Sequence, residues 1–239
     1  MSALAERNIV ARWDDAHRYS PAPRHRRRLI ARALRDLGAA EVLDAGCGQP
    51  FLLAELRARL GVPCYGCDIS EAVIDDPAWQ GVAEELRVVD LERESWPDGR
   101  TFDAVVCSEV LEHVPDWRAA LANVVAMARR YVVITVPGGK RRPMDALVGH
   151  HRHFVPGQIA AALREEGCDP VWGHRWGWPV HSLYRWGISR AGADRMYRSF
   201  GTERYSSAQI GLSNVLYGAF FVNDVFHRGD QLMVLGAKR

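Results

Sequence analysis

The stretch that decides the fold is EVLDAGCG, residues 41–48. A short apolar run leads into Asp44 and then into two glycines, Gly46 and Gly48, which stand one residue apart. Leucines at helical spacing follow at positions 52, 53 and 56. A strand, a glycine turn and a helix in this order place a small ligand at the carboxyl end of a parallel strand, because glycines let the backbone turn sharply and approach the ligand closely.

Two further strands end in acidic residues at the spacing of a nucleoside site. Residues 62–67 lead to Asp68, 20 residues after Gly48. A carboxylate at this position can accept hydrogen bonds from two ribose hydroxyls. A third strand ends at Asp90 and Leu91, which offer a polar group and an apolar wall to a base.

A fourth apolar strand, residues 102–107, runs into SEVLEHV, residues 108–114. With this element the chain resembles the class I S-adenosylmethionine-dependent methyltransferases that act on small molecules. Four motifs in the family's order, over about residues 38–175, carry the resemblance. It implies S-adenosylmethionine as methyl donor, and it implies these cofactor-binding residues: Asp44, Gly46, Cys47, Gly48, Asp68, Ile69, Asp90, Leu91, Cys107 and Ser108.

The turn departs from the family pattern at Pro50, where a third glycine is usual. Proline suits the first turn of a helix, since its missing N–H would have no partner there. We therefore expect Pro50 to start the helix and leave the site intact. A dinucleotide-binding dehydrogenase would need its third glycine at position 51, where Phe51 stands, and this mismatch disfavours that alternative.

Length and composition fit a single α/β domain. The chain has 239 residues, 48% of them apolar, and a net charge of +2, so nothing global favours a nucleic-acid partner. No apolar run approaches the ~18 residues of a membrane span, and the first residues lack a signal-peptide core. We expect a cytoplasmic protein with no membrane span. Its predicted parts are an N-terminal helical segment (1–37), a cofactor-binding core (38–175), a helical cap (176–228) and a last strand (229–239).

The alternation of strands and helices predicts a Rossmann-like, seven-stranded, mostly parallel sheet with helices on both faces. The resemblance adds that the last strand is antiparallel and lies beside the sixth. The cap is inserted between these two strands. Tryptophans crowd near its entrance, and we interpret the cluster as core, with an apolar acceptor pocket as the alternative; they are Trp172, Trp176, Trp178 and Trp186.

Two other motifs receive structural interpretations. Cys64 and Cys67 form a C-x-x-C inside a predicted strand, where side chains three apart point to opposite faces. No second cysteine pair completes a zinc site. The basic run 25–28, HRRR, lies at the start of a predicted helix over residues 24–37, and we interpret it as a solvated face.

Catalysis by methyl transfer needs alignment of the acceptor with the sulfonium, and a base only where the nucleophile still carries a proton. Candidate bases are His113, after the fourth strand, and His150 and His151, after the fifth. Both loops face the ligand crevice in this kind of sheet.

The spacing Glu109-x-x-Glu112-His113 also resembles the divalent-metal motif of ubiquinone-pathway O-methyltransferases and small-RNA 2′-O-methyltransferases. In those enzymes two carboxylates, a histidine and a further downstream histidine hold a cation beside the acceptor hydroxyls. Metal-free family members carry a similar segment, and proximity alone can drive transfer to a good nucleophile. We favour metal-free transfer, and the metal-assisted alternative stays open.

The predicted function is methyl transfer from S-adenosylmethionine to an oxygen or nitrogen of a small-molecule acceptor. Three alternatives stay open: a metal-assisted O-methyltransferase of either type above, a non-catalytic S-adenosylmethionine-binding protein, and a nucleic-acid methyltransferase. The last predicts a basic stripe around the crevice, whereas the basic residues here are scattered and matched by 29 acidic ones.

Overall fold

The computed structural model describes residues 14–142, 145–146, 148–191 and 204–239. Seven strands of these ranges form one sheet in the order β3-β2-β1-β4-β5-β7-β6. Strand β7 is antiparallel to β5 and β6, and the other neighbours are parallel. This confirms the predicted sheet. The strands are β1 Val42–Ala45, β2 Cys64–Asp68, β3 Glu85–Val88, β4 Phe102–Ser108, β5 Ala128–Pro137, β6 Cys168–Trp176 and β7 Gln231–Lys238.

Eight helices of the described ranges surround the sheet. Helices α2 and α3 contribute to the core on one face, and α5 and α6 to the core on the other. The helices are α1 Asp14–Tyr19, α2 Pro21–Asp36, α3 Phe51–Leu60, α4 Glu71–Ile74, α5 Trp117–Ala126, α6 Gln158–Glu165, α7 Val180–Ala191 and α8 Ser207–Phe220. Short 3-10 helices lie at Pro77–Trp79, Pro97–Gly99 and Phe221–Asp224.

The helix boundaries follow from their terminal residues. Helix α3 begins directly after Pro50, whose carbonyl accepts the Ala54 N–H. Helix α6 ends at Glu165, and Gly167 then takes a left-handed φ of 76°, as a glycine after a helix commonly does. Helix α8 begins with a capping box between Ser206 and Gln209.

The central strands are buried on both faces, as expected where helices cover both sides of a parallel sheet. The two cysteines of β2 show this arrangement. Cys64 packs in the core under α2 and α3, whereas Cys67 packs in the opposite core. Both are free thiols, so the C-x-x-C is part of the packing.

Helices α7 and α8 lie in the connection between β6 and β7, where the cap was predicted. Helix α8 contacts α2, and its last residue, Phe220, is fully buried beside His25 and Trp176. Residues 192–203 of the predicted cap lie outside the described residues. None of the helices in the described ranges is both long enough and apolar enough to cross a bilayer.

The core interpretation of the tryptophan cluster was correct only for Trp176. The side chains of Trp172, Trp178 and Trp186 are each about half exposed. They lie on different elements, at β6, before α7 and in α7. The physical reason is that Trp172 lies on β6, the edge strand of the sheet, whereas Trp178 and Trp186 belong to the cap, so these rings share no common core.

The interpretation of the basic run as a solvated face was wrong. His25 is fully buried, and each arginine is mostly covered and paired with an acid. Helix α2 is enclosed between α3, the cap and the crevice loops, so its cations need partners. The three pairs are Arg26 with Glu109 at 3.2 Å, Arg27 with Glu55 at 2.9 Å and Arg28 with Asp224 at 2.5 Å.

Candidate functional site

The glycine turn lies at the carboxyl end of β1, in the middle of the sheet. Gly46 and Gly48 take φ angles of 78° and 49°, which side chains disfavour. The N–H groups of Gly46 and Cys47 donate to the Cys67 carbonyl at 2.7 and 2.8 Å. A Cβ at Gly46 would lie 2.4 Å from Cγ2 of Val110, in the loop after β4. Glycine at this position therefore lets the loops after β1 and β4 touch.

Two acidic side chains flank the turn, and they differ in their hydrogen-bond donors. The Gly48 N–H donates to Asp68 Oδ2 at 2.8 Å, and the Ser70 N–H donates to Oδ1 at 3.0 Å. Asp44 is only 2% exposed, and no described residue donates a hydrogen bond to its carboxylate. Burial, followed by the negative charge of Asp68, raises the pKa of Asp44 to about 7. A buried carboxyl without a partner suits a cationic ligand group, which would favour its ionised form.

The ends of β2 and β3 form the next part of the crevice. Ile69 follows Asp68 and is 65% exposed, which is unusual for an isoleucine. Asp90 accepts the Glu92 N–H at 3.0 Å through Oδ1, and Leu91 is buried. These neighbouring strand ends present apolar surface and a carboxylate on one side of the turn.

The remaining candidates for cofactor binding differ in where their side chains point. The Cys107 side chain is fully buried in the core under α5 and α6. Cys47 packs in the opposite core. The Ser108 hydroxyl is half-buried and shares a hydrogen bond of 2.9 Å with Thr135 Oγ1.

The candidate metal ligands do not assemble as the sequence spacing suggested. Glu109, with a left-handed φ of 58°, pairs with Arg26 and accepts the Thr135 hydroxyl at 3.3 Å. The group that comes together consists of Glu112, His113 and His150, whose possible ligand atoms lie within 4.8 Å of one another. His150 takes the place of the downstream histidine of the motif, and Glu109 lies outside this group of described residues.

Glu112 is the unusual member of this group. Its side chain is fully buried, and neither carboxylate oxygen has a hydrogen-bond partner among the described residues. Burial, followed by the charge of Glu109, raises the pKa of Glu112 well above its usual value. An orphaned carboxylate beside two imidazoles is a donor set that fits a divalent cation, whose charge would compensate that of the carboxylate.

The histidine loop after β5 continues the group. His150 Nδ1 lies 3.2 Å from His153 Nε2, which lies 3.4 Å from Asp145 Oδ2. Burial, followed by the neighbouring His113, lowers the pKa of His150 to about 3. His150 is therefore neutral near pH 7 and has a lone pair to offer. Asp145, His150 and His153 form a second group of possible ligand atoms in the described residues. The His151 side chain is exposed and belongs to neither group.

Sequence reasoning missed three charged residues around this group: Arg26, Asp145 and Arg185. The Arg185 guanidinium donates to both carboxylate oxygens of Asp145, at 2.7 and 2.9 Å, and to Asp230 Oδ2 at 2.8 Å. Arg26 belongs to the basic run that was interpreted as a solvated face, and no spacing motif signals Asp145 or Arg185.

The family comparisons agree with this geometry. A family model described as a methyltransferase domain matches residues 19–186. The ubiquinone biosynthesis O-methyltransferase of Xanthomonas axonopodis pv. citri is 31% identical over 196 residues, which are 67% of this chain and 77% of that protein. The protein of the same name from Xanthomonas oryzae pv. oryzae is 37% identical over 157 residues, 54% of this chain and 62% of its own length.

Solved structures share the fold. Magnesium protoporphyrin IX methyltransferase from Synechocystis PCC 6803, with bound S-adenosylhomocysteine, has a TM-score of 0.54 at 17% identity, covering 90% of this chain and 83% of that one. Phosphoethanolamine N-methyltransferase 2 of Haemonchus contortus, in complex with S-adenosylmethionine, has a TM-score of 0.60 at 14% identity, covering 98% and 57%. The family model spans more than half of the chain, and the chain therefore belongs to the class I S-adenosylmethionine-dependent methyltransferases.

Proposed function

We propose that this methyltransferase acts on a hydroxyl oxygen of a small-molecule acceptor. The observation that carries the proposal is the group of Glu112, His113 and His150. The group lies close to the glycine turn, because Glu112 is two residues after Val110, which packs against Gly46. A hydroxyl carries a proton that must leave during transfer, and this group can receive it or lower its pKa. An amine acceptor, the second candidate from the sequence, reacts through a free lone pair and needs no such group. The names of the Xanthomonas relatives support an oxygen acceptor.

The cofactor is assigned to the turn and the strand ends. Asp44 pairs with the ammonium of the methionine portion, because it is buried and has no hydrogen-bond donor among the described residues. The backbone of Gly46 and Gly48 approaches the same portion. The other contacts are Asp68 to the ribose hydroxyls, Ile69, Asp90 and Leu91 to the adenine, and Ser108 beside the methyl-transfer channel.

In the metal-free form, His113 is the general base, because its imidazole is the exposed one of the group and the pKa of about 3 makes His150 a weak base. An acceptor oxygen attacks the methyl carbon in line with the departing sulfur, and the neutral imidazole takes the hydroxyl proton. The products are a methyl ether, S-adenosylhomocysteine and an imidazolium, which then releases its proton to water. Asp145 and His153 hold the orientation of the His150 ring through the contacts at 3.4 and 3.2 Å, and the His113 ring packs edge-on against His150 at 4.7 Å between ring centroids.

The metal-assisted form is favoured by the unpartnered carboxylate of Glu112. Glu112, His113 and His150 would hold the cation, which would lower the pKa of the acceptor hydroxyl. The buried Glu112 would then be ionised, and the Arg26–Glu109 pair would remain outside the ligand set.

Methyl transfer to catechol, a small acceptor with two hydroxyls, tests the function and separates the two forms. Binding of S-adenosylhomocysteine by calorimetry comes first, and its absence would contradict the assignment of the cofactor site. If the cation is used, chelator should abolish transfer and Mg²⁺ or Mn²⁺ should restore it. Glu112→Gln should then lower the rate of methyl transfer at least ~10-fold. The matched control, Glu109→Gln, should keep most of the parent's rate. Unchanged transfer in chelator would establish the metal-free form, and binding without any transfer would favour a non-catalytic protein.

A further inference from the structure

A cleft of about 820 Å³ lies at the same edge of the sheet as the histidine loop. Its walls come from the segments that follow β5, end β6 and precede β7, all at the carboxyl end of β5. The sequence motifs of the family do not include these positions. The lining residues are Lys140, Arg141, Arg142, Arg175, Trp178, Ser182, Arg228, Gly229 and Asp230.

The lining is strongly cationic. It holds five basic side chains and one carboxylate, Asp230, which already contacts Arg185 at 2.8 Å and His181 at 3.2 Å. Within the described part of the chain, the side chains of Lys140 and Arg228 form neither an ion pair nor a hydrogen bond. Several cations facing one concave surface raise the local potential and attract an anion.

The cleft shares a wall with the histidine loop. The Arg141 guanidinium, in the lining, donates to the carbonyls of His150 and His151 at 3.1 and 2.7 Å. On the other side, Arg185 joins Asp230 of the lining to Asp145, the partner of His153. The cationic cleft therefore borders the loop that carries His150.

An aromatic ring completes the lining. Trp178 is 48% exposed and has a free face toward solvent. Exposed tryptophan next to cations is an arrangement that holds an aromatic or apolar body while the cations hold its charged end.

We propose that this cleft binds an anionic group of the acceptor, a carboxylate or a phosphate, and so selects acidic acceptors. The proposal rests on the proposed function, because it places the acceptor hydroxyl at the histidine group. Lys140 and Arg228 would contact the anionic group, because their charges have no partner among the described residues. Arg141 positions the histidine loop.

A pair of acceptors with the same hydroxyls tests the selection: 3,4-dihydroxybenzoate and its methyl ester. The protein should use the acid with a kcat/KM at least about tenfold above that of the ester, since each charge-assisted contact is strong. The double variant Lys140→Gln/Arg228→Gln should lose this preference through a higher KM for the acid. Its use of the ester and its affinity for S-adenosylhomocysteine should not change. Arg35→Gln, which removes an exposed cation at the opposite edge of the sheet, is the matched control.

Binding of inorganic pyrophosphate, followed by calorimetry, gives a measurement that does not depend on transfer. The parent protein and Arg35→Gln should bind it, and the double variant should bind it at least about tenfold more weakly. Equal pyrophosphate binding by all three proteins, or equal use of acid and ester, would overturn the proposal. A third outcome separates the two proposals. If the double variant binds pyrophosphate more weakly but the parent protein methylates no hydroxyl acceptor, the anion site is supported and the proposed function is refuted. Binding of phosphatidylglycerol vesicles through Lys140 and Arg228, with acid and ester used equally, would assign the cleft to a membrane surface instead.

Discussion

The two sides of the crevice are built in different ways. The side assigned to the cofactor consists of one short segment, residues 44–48, and the end of the neighbouring strand, and its contacts are mostly backbone hydrogen bonds. The side assigned to the acceptor consists of side chains from four separate elements. They are Arg26 from α2, Glu112 after β4, His150 after β5 and Arg185 from α7.

The difference indicates which side of the crevice can change its residues while the sheet stays the same. Backbone contacts at a strand end depend on the fold and tolerate few replacements. Side chains on loops and on a cap can be exchanged without altering the sheet. In the proposed function, the donor is therefore bound by the backbone of the sheet, and the acceptor is selected by side chains on the loops and the cap.

The largest effect is expected for Gly46→Val. The new side chain would collide with Val110, and the φ of 78° disfavours a branched residue. We expect a loss of about 2–4 kcal/mol in the free energy of unfolding and no binding of S-adenosylhomocysteine. The clash with Val110 is the reason for the expected loss of stability. Gly48→Ala meets no atom within 4 Å and should cost only about 1 kcal/mol. Thermal unfolding and calorimetry measure both, and unchanged affinity in Gly46→Val would place the cofactor elsewhere.

Asp68→Ala should have the next largest effect, again on the donor side. Its carboxylate holds the Gly48 and Ser70 N–H groups and is assigned to the ribose. Loss of these hydrogen bonds should weaken the binding of S-adenosylhomocysteine by about 1–3 kcal/mol. Asp169→Ala, which removes an exposed carboxylate at the start of β6, should leave calorimetric affinity unchanged. A comparable loss in both variants would mean that net charge, rather than the ribose contact, governs binding.

The pH dependence of cofactor binding should be smaller, about tenfold. The pKa of Asp44 is raised to about 7, so the carboxyl is mostly protonated at about pH 6 and ionised at about pH 8, where it attracts the ligand ammonium. Affinity for S-adenosylhomocysteine should therefore rise with pH, and Asp44→Asn should remove the dependence. Because the folded pKa lies above the unfolded value, this group lowers stability as pH rises from about 4 to about 7. Affinity that falls with rising pH would contradict the ammonium contact.

Arg185→Lys should have the smallest effect, and only on the acceptor side. Lysine keeps the charge but cannot hold Asp145 and Asp230 together as the guanidinium does. We expect kcat/KM for catechol to fall about three- to tenfold, with unchanged affinity for S-adenosylhomocysteine. Steady-state kinetics and calorimetry on the same preparation measure the two. A matched fall in both quantities would show that the two sides of the crevice are not independent.

Much of the fold was predictable because its signals are local. The apolar runs located the first four strands, and the glycines and Pro50 marked the turn and the start of α3. The interpretation of the basic run failed because periodicity does not say which neighbours enclose a helix. Arg26 and Glu109 come together only when α2 packs beside the end of β4.

By itself, the sequence determined the alternation of strands and helices along the chain, the glycine turn after β1 and the acidic residues at the ends of β2 and β3. These depend on φ preferences and on apolar periodicity over a few residues. Only the tertiary structure decided that His150 joins Glu112 and His113 while Glu109 pairs with Arg26, and that five basic residues line one cleft. Those arrangements join side chains far apart in the chain, and their partners are chosen by packing and by the cost of leaving a buried charge without compensation.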